Sequence, residues 1–134
     1  MKVSVSKEDK HVNSIADIAR IMQKILCFQN RHHRKKEYCW TIGLNDRNDI
    51  EFIELVTIGI SNRNILKPVD VLSYPVSLKC TKIVLCHNHP SGELLPSEED
   101  MNFTELIKIA ASIIGIKLWT HIIISEGNYH CIRC

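Results

Sequence analysis

The sequence predicts an α/β fold, a mixed central β-sheet with helices packed on it. Three observations carry that prediction. Apolar residues recur at helical spacing over residues 14–29 and 97–114. Shorter stretches between and after them either alternate apolar with polar residues or run apolar without interruption, as strands do. The order along the chain is α-β-β-α-β-α-β-β, with no internal repeat, low-complexity tract or linker, so residues 1–134 form one domain.

Each element has its own signal. In the first helix, Ile15, Ile18, Ala19, Met22, Ile25 and Leu26 share a face, and Asn13 or Ser14 is the cap. RHHRKK, residues 31–36, breaks the pattern and reads as a solvated connection. In EYCWTIGL, residues 37–44, alternation puts Tyr38, Trp40, Ile42 and Leu44 on one face of a strand. NDRND is a turn, and IEFIELVTIGI returns as the second strand of a hairpin. SNRNILKP is a loop, and residues 69–78 predict a short helix despite Pro75. TKIVLCH is continuously apolar, as expected of a strand covered on both faces. The helix at 97–114 turns Phe103, Leu106, Ile107, Ala110, Ala111 and Ile114 inward and stops at Gly115. IKLWTHIIIS is another strand, and NYHCIR a last, shorter one.

Composition narrows the class. At 134 residues, 45% hydrophobic and 24% charged, the chain can bury most of its apolar side chains around a single core. A net charge of +2 neither demands nor excludes nucleic acid. Charged residues interrupt every candidate membrane span, and MKVSVSKEDKH is too polar for the apolar region of a signal peptide. Six cysteines without an export signal are expected to be free thiols in a reducing cytoplasm. Cys39, Cys80 and Cys86 lie in or beside apolar runs and read as small buried hydrophobes.

The stretch CHNHPSGELLPSEED, residues 86–100, holds the chemistry. His87 and His89 follow a buried strand, and in extended backbone their spacing turns both imidazoles to one side, where two neutral nitrogens can share a cation. A His-x-His taken alone is more often two polar residues entering a loop. Ser97 and Asp100 form Ser-x-x-Asp ahead of an apolar helix, a capping box in its own right. The two readings coexist, because residue three of a first turn projects beside the helix start. Two imidazoles and one carboxylate are a common ligand set for zinc with a fourth position left for water. They also suit iron. Such a site activates water near neutral pH, requires a general base held beside the metal, and gains from a hydroxyl such as that of Ser97 near the developing oxyanion.

HNHPSG, then PSEED, then Thr104 in MNFT closely resembles the RadC-like branch of the JAMM (MPN-type) zinc metalloprotease superfamily. The resemblance runs from about Glu37 to Ser125. It implies a three-layer JAB/MPN (cytidine-deaminase-like) architecture, Zn2+ held by His87, His89 and Asp100, and Ser97 as oxyanion helper. It implies Glu37 as general base, since the family's glutamate opens a strand that runs into a Leu-Asn pair, here Leu44-Asn45. Without the family, Glu51 and Glu54 are equal candidates. The substrate class it implies is a protein or peptide, cut at a peptide or isopeptide amide.

The chain departs from the family's pattern in two places. Pro68-Val69-Asp70 stands where RadC-like proteins usually carry Pro-Arg-Glu, and Thr120-His121 where they usually carry Asp-His. The second change is expected to remove a group that orients a ligand. The helix-hairpin-helix region at the front of longer members is also absent from this sequence. RHHRKK has no interleaved aromatics for base stacking, so nucleic acid is a weak expectation. His130-Cys131-x-x-Cys134 offers soft ligands but no second pair. Deaminase chemistry fails, because no Pro-Cys-x-x-Cys follows. His121, in an apolar strand, reads as a satisfied core residue. The leading expectation is a cytoplasmic zinc hydrolase; the alternative is a non-catalytic module acting through protein or DNA partners.

Overall fold

The structure, a computed structural model, describes residues 1–32, 36–58 and 66–132. Strand β1 (Lys2–Val3) leads through a short 3-10 turn to helix α1 (Ile15–His32). Strands β2 (Tyr38–Leu44) and β3 (Ile50–Ile58) form the predicted hairpin. Helix α2 (Pro68–Ser77), strand β4 (Lys82–Asn88), helix α3 (Glu98–Ile113) and strands β5 (Lys117–Ile124) and β6 (Tyr129–Ile132) complete the order. The sheet runs β1-β3-β2-β4-β5-β6. Among the described strands only β4 and β5 pair in parallel, and α3 supplies the crossover that a parallel pair needs. The predicted α/β class with a mixed sheet is what the chain adopts.

Alternation along the central strands builds three layers. Tyr38, Trp40, Ile42 and Leu44 face α1 together with Val84 and Cys86, and meet Ile18, Ala19, Met22 and Leu26. Cys39, Ile83 and Leu85 face the other way, toward Val71, Leu72, Phe103, Ile107 and Ala111 of α2 and α3. Both faces of β4 are therefore covered, which is why its sequence is apolar without a break. Cys39, Cys80 and Cys86 are buried free thiols, as expected.

Caps hold the helix ends where the sequence places them. Asp17 N–H reaches Ser14 Oγ at 3.4 Å, and Asp17 Oδ2 accepts from Asn13 N at 2.8 Å. At the end of α3, Gly115 takes φ +84°, with Gly115 N–H to Ser112 O at 3.1 Å and Ile116 N–H to Ala111 O at 2.8 Å. Those paired bonds are a Schellman stop.

Three expectations need correction. Helix α1 runs on to His32 rather than ending near residue 29, since no Gly or Pro stops it and Arg31 suits a helix C-terminus. In α3, Leu106 is 47% and Ile114 50% exposed, so neither faces inward. The buried stripe is narrower, Asp100, Phe103, Thr104, Ile107 and Ala111, and Leu106 is rotated about 100° from Ile107. Strand β1 was not anticipated, being too short to show alternation; Lys2 pairs with Glu54 at the sheet edge. The predicted end of the second strand at 59–60 and loop residues 61–65 lie outside the described residues. No described helix is long and apolar enough to cross a membrane.

One irregularity matters for the site. Ile83 pairs with Leu118 but Val84 pairs with Thr120, so Trp119 is an extra residue in β5. A bulge of this kind inverts the parity of everything after it. Leu118 packs on the α3 side and Trp119 against the α1 side; beyond the bulge Ile122 and Ile124 face α1. His121 is thereby turned toward α3.

Candidate metal centre

His87 continues the Ile83, Leu85 face of β4 and reaches the α3 layer with no exposed surface. Beyond it the chain turns at Pro90, where Gly92 N–H bonds His89 O at 2.8 Å. Ser97 caps α3, its Oγ accepting from Asp100 N–H at 3.0 Å while Asp100 Oδ2 accepts from Ser97 N–H at 2.9 Å. The predicted capping box is present, and it aims the Asp100 carboxylate beside the helix start.

Three side chains converge there. His87 Nε2 and His89 Nε2 are 3.2 Å apart. Asp100 Oδ1 lies 3.3 Å from the first, and Asp100 Oδ2 3.1 Å from the second. A tetrahedral zinc with bonds near 2.05 Å has ligand-to-ligand edges of about 3.3 Å. Each histidine nitrogen meets a different Asp100 oxygen near that length, and Glu37, His87 and His89 offer ligand atoms all within 4.8 Å of one another, so the cluster could hold a metal ion. Glu37 is 7% exposed, and one of its carboxylate oxygens lies within 4.8 Å of ring nitrogens of His87 and His89. Glu51 hydrogen-bonds Asn45 in the hairpin turn, and Glu54 pairs with Thr41 and Lys2 within the sheet. Of the three glutamates the sequence left open, Glu37 is the one at the histidines.

The outer nitrogens fix which faces the imidazoles present. His89 Nδ1 is 2.9 Å from Glu93 O, a pure acceptor, so Nδ1 carries the proton and Nε2 offers a lone pair. His87 Nδ1 is 2.7 Å from His121 Nε2. His121 Nδ1 is 2.6 Å from Thr104 Oγ1, and that hydroxyl donates to Asp100 O at 2.7 Å. A hydroxyl has one proton. Given to the carbonyl, it leaves Thr104 to accept from His121 Nδ1–H, and His121 Nε2 to accept from His87 Nδ1–H. In that neutral tautomer His87 Nε2 presents its lone pair to the centre, beside His89 Nε2 and Asp100 Oδ1.

Electrostatics agree with this placement. Burial alone would raise the pKa of Asp100, but where the rings also carry a proton on Nε2 their hydrogen bonds and the His87 charge, with the Ser97 amide, outweigh it and hold the carboxyl well below the usual carboxylate range. The carboxylate, the form that binds metal, is the one this site favours. The centre is open on one side: His89 is 19% exposed at its side chain and lines a cleft of about 190 Å³ with Pro90, Ser91, Gly92, Asn30 and Glu126. Ser97 is exposed at the other approach.

The structure thus brings His87, His89, Asp100 and Glu37 together, with Ser97 joined to Asp100 through the cap. His121 is buried and satisfied, as the sequence suggested, but its partner is His87 itself. The expectation that Thr120 costs the site an orienting group is corrected. Thr120 is the first residue past the bulge, pairs with Val84 on the α1 side and hydrogen-bonds Cys131, which packs with the α1-side core. The change at that position leaves His87 supported. Val69 is 63% exposed in the first turn of α2, where Asp70 caps by accepting from Lys67 N–H at 2.9 Å. Arg31 and Lys36 are exposed, whereas His33, Arg34, Lys35 and Cys134 lie outside the described residues. Among the described residues, no His/Cys/Asp/Glu cluster forms at the C-terminus.

A profile of the RadC-like JAB domain matches residues 12–133. A UPF0758 protein of Aquifex aeolicus is 35% identical over 131 residues, covering 98% of this chain and 57% of its own length. Another, from Clostridium acetobutylicum, is 42% identical over 94 residues, covering 70% of this chain and 41% of its own length. A third, from Streptococcus suis, is 37% identical over 75% of this chain and 41% of its own. The chain spans about half the length of these relatives. With nearly every described element inside the matched region, the chain belongs to the RadC-like JAB domain family.

Proposed function

We propose that this chain is a zinc-dependent hydrolase that cuts a peptide or isopeptide amide bond. The observation that carries the reading is the 3.1–3.3 Å triangle of His87 Nε2, His89 Nε2 and Asp100 carboxylate, with a second carboxylate, Glu37, beside it. Three protein ligands of this type and spacing suit zinc with a fourth position left for solvent or substrate. A zinc ion there supplies Lewis acidity, lowering the pKa of water and polarising a carbonyl oxygen.

The chain's own residues do the rest. His87 and His89 offer Nε2 because Nδ1 of each is engaged elsewhere. Glu37 accepts the proton of the attacking water and delivers it to the departing amine nitrogen. Ser97 Oγ takes the Asp100 amide proton as acceptor, so its own hydrogen is available to the substrate oxygen that gains charge. A substrate would approach along the exposed side of His89 and the adjoining cleft.

The test is cleavage of a mixed library of peptides and isopeptide-linked peptides by zinc-loaded protein, read by mass spectrometry. The reading expects new termini with wild type and loss of at least about a hundredfold in rate with Glu37→Ala. Cleavage that survives in Glu37→Ala removes that residue from the chemistry. No cleavage by the wild type of any amide removes the hydrolase.

A further inference from the structure

Glu37 lies one residue before β2 begins at Tyr38, at a point where the ladder between β2 and β4 is ending. The register pairs Cys39 with His87, so the next pair would be Tyr38 with Asn88. Backbone pairing cannot continue far, because the chain leaves β4 at His89 and enters Pro90, which has no N–H. The Asn88 side chain takes over. Its Oδ1 accepts from Tyr38 N–H at 2.7 Å, and its Nδ2 donates to Lys36 O at 2.9 Å. One primary amide thus bonds the backbone on both sides of Glu37. Asn88 is 3% exposed, and its bond to Tyr38 N–H is shielded from bulk water.

We infer that Asn88 is the positioning residue for Glu37: its amide fixes the backbone at Lys36 and Tyr38 and so holds the Glu37 carboxylate at the His87–His89 pair. A carboxamide is required, since one donor and one acceptor must be presented side by side. Aspartate would keep the acceptor and face Lys36 O with a second acceptor; alanine would keep neither. Alternation supports the division of labour. Asn88 follows Val84 and Cys86 onto the α1 side, and the cleft it lines there includes Leu26 and Ile124. Glu37 shares the parity of Cys39, on the α3 side with His87. The clamp therefore grips the strand from one face while the carboxylate works on the other. This inference rests on the reading of His87, His89 and Asp100 as a zinc site.

The experiment is a double-mutant cycle on zinc affinity, measured by chelator competition with wild type, Glu37→Gln, Asn88→Ala and the double variant, alongside amide cleavage by the wild type. A carboxylate held near the cation tightens zinc, so Glu37→Gln is expected to weaken binding by about tenfold. In the Asn88→Ala background that loss should shrink to about threefold or less, because the carboxylate is no longer held. A structural role for Asn88 alone would weaken zinc by the same factor whether or not Glu37 is present, and additivity overturns the inference. Should Asn88→Ala not fold, Asn88→Ser runs the same cycle without adding a charge, since its single short hydroxyl cannot replace both bonds. Coupling without any cleavage keeps the clamp and removes the hydrolase. Cleavage with an additive cycle keeps the hydrolase and removes the clamp. A wild type that binds no zinc overturns both.

Discussion

His121 supports His87 through a ring-to-ring hydrogen bond of 2.7 Å, made possible by the extra residue at Trp119. The bond belongs to a chain that ends on Asp100 O by way of Thr104, so two of the three proposed ligands are tied to one network. Groups of this kind typically contribute 10–100-fold to metal affinity. His121→Ala is expected to weaken zinc by that factor, about ten- to a hundredfold, with the far-ultraviolet circular dichroism unchanged. Chelator competition checks it. Thr104→Val should show a smaller loss in the same assay, since His121 keeps its place in the core but loses the acceptor that sets its tautomer.

Ser97 has a structural duty that does not depend on chemistry. Its Oγ accepts the Asp100 amide proton, and removing an N-cap hydroxyl costs about 0.5–2 kcal/mol. Urea unfolding of metal-free Ser97→Ala should show a loss in that range. A metal-free stability equal to wild type would mean that the cap contributes nothing.

Gly43 is a glycine because Phe52 occupies the space of its side chain. A Cβ there would lie 2.0–2.8 Å from the Phe52 ring, which itself packs edge-on against Tyr74 with centroids 4.7 Å apart. Gly43→Ala must displace that pair and should cost about 1–3 kcal/mol. Thermal unfolding measures it. Gly43→Ala combined with Phe52→Leu should recover part of the loss, because the smaller side chain yields the space.

Buried thiols make stability fall at alkaline pH. Burial, with the nearby Glu51 charge, pushes Cys80 up from 9.0 to about 11, and burial pushes Cys86 well above 9.0, with Cys39 adding to it. A folded pKa above the unfolded one means that the unfolded chain releases its proton first as pH rises. The contribution to stability is therefore whole below pH 9.0 and is lost between about 9 and about 11. Urea midpoints should fall across that window, and Cys80→Ala should flatten the fall. Mapping by iodoacetamide at about pH 8 should leave Cys80 and Cys86 unmodified in the native protein.

Alternation in EYCWTIGL, the apolar run of TKIVLCH and the capping box at Ser97 were legible because each is a local pattern with a local cause. The same patterns, with the spacing of His87, His89 and Asp100, pointed to the cluster that the fold assembles. His121 was not legible in its role, because a strand's parity is read by counting, and the bulge at Trp119 breaks the count. Asn88 was hidden for another reason: its partners Lys36 and Tyr38 lie about fifty residues earlier, and only strand pairing brings them together. Leu106 was misjudged because an apolar residue on a helix flank looks inward in sequence, whereas the contact stripe of α3 is narrow.

The central claim is that one cation sits between the HNHPSG loop and the start of α3. The direct measurement is metal content of purified protein after zinc loading and desalting, for wild type, His89→Ala and Cys134→Ala. The account predicts about one zinc per chain in wild type and in Cys134→Ala, and loss of it in His89→Ala. A wild type that retains no metal, or metal lost with Cys134→Ala and kept with His89→Ala, would contradict it.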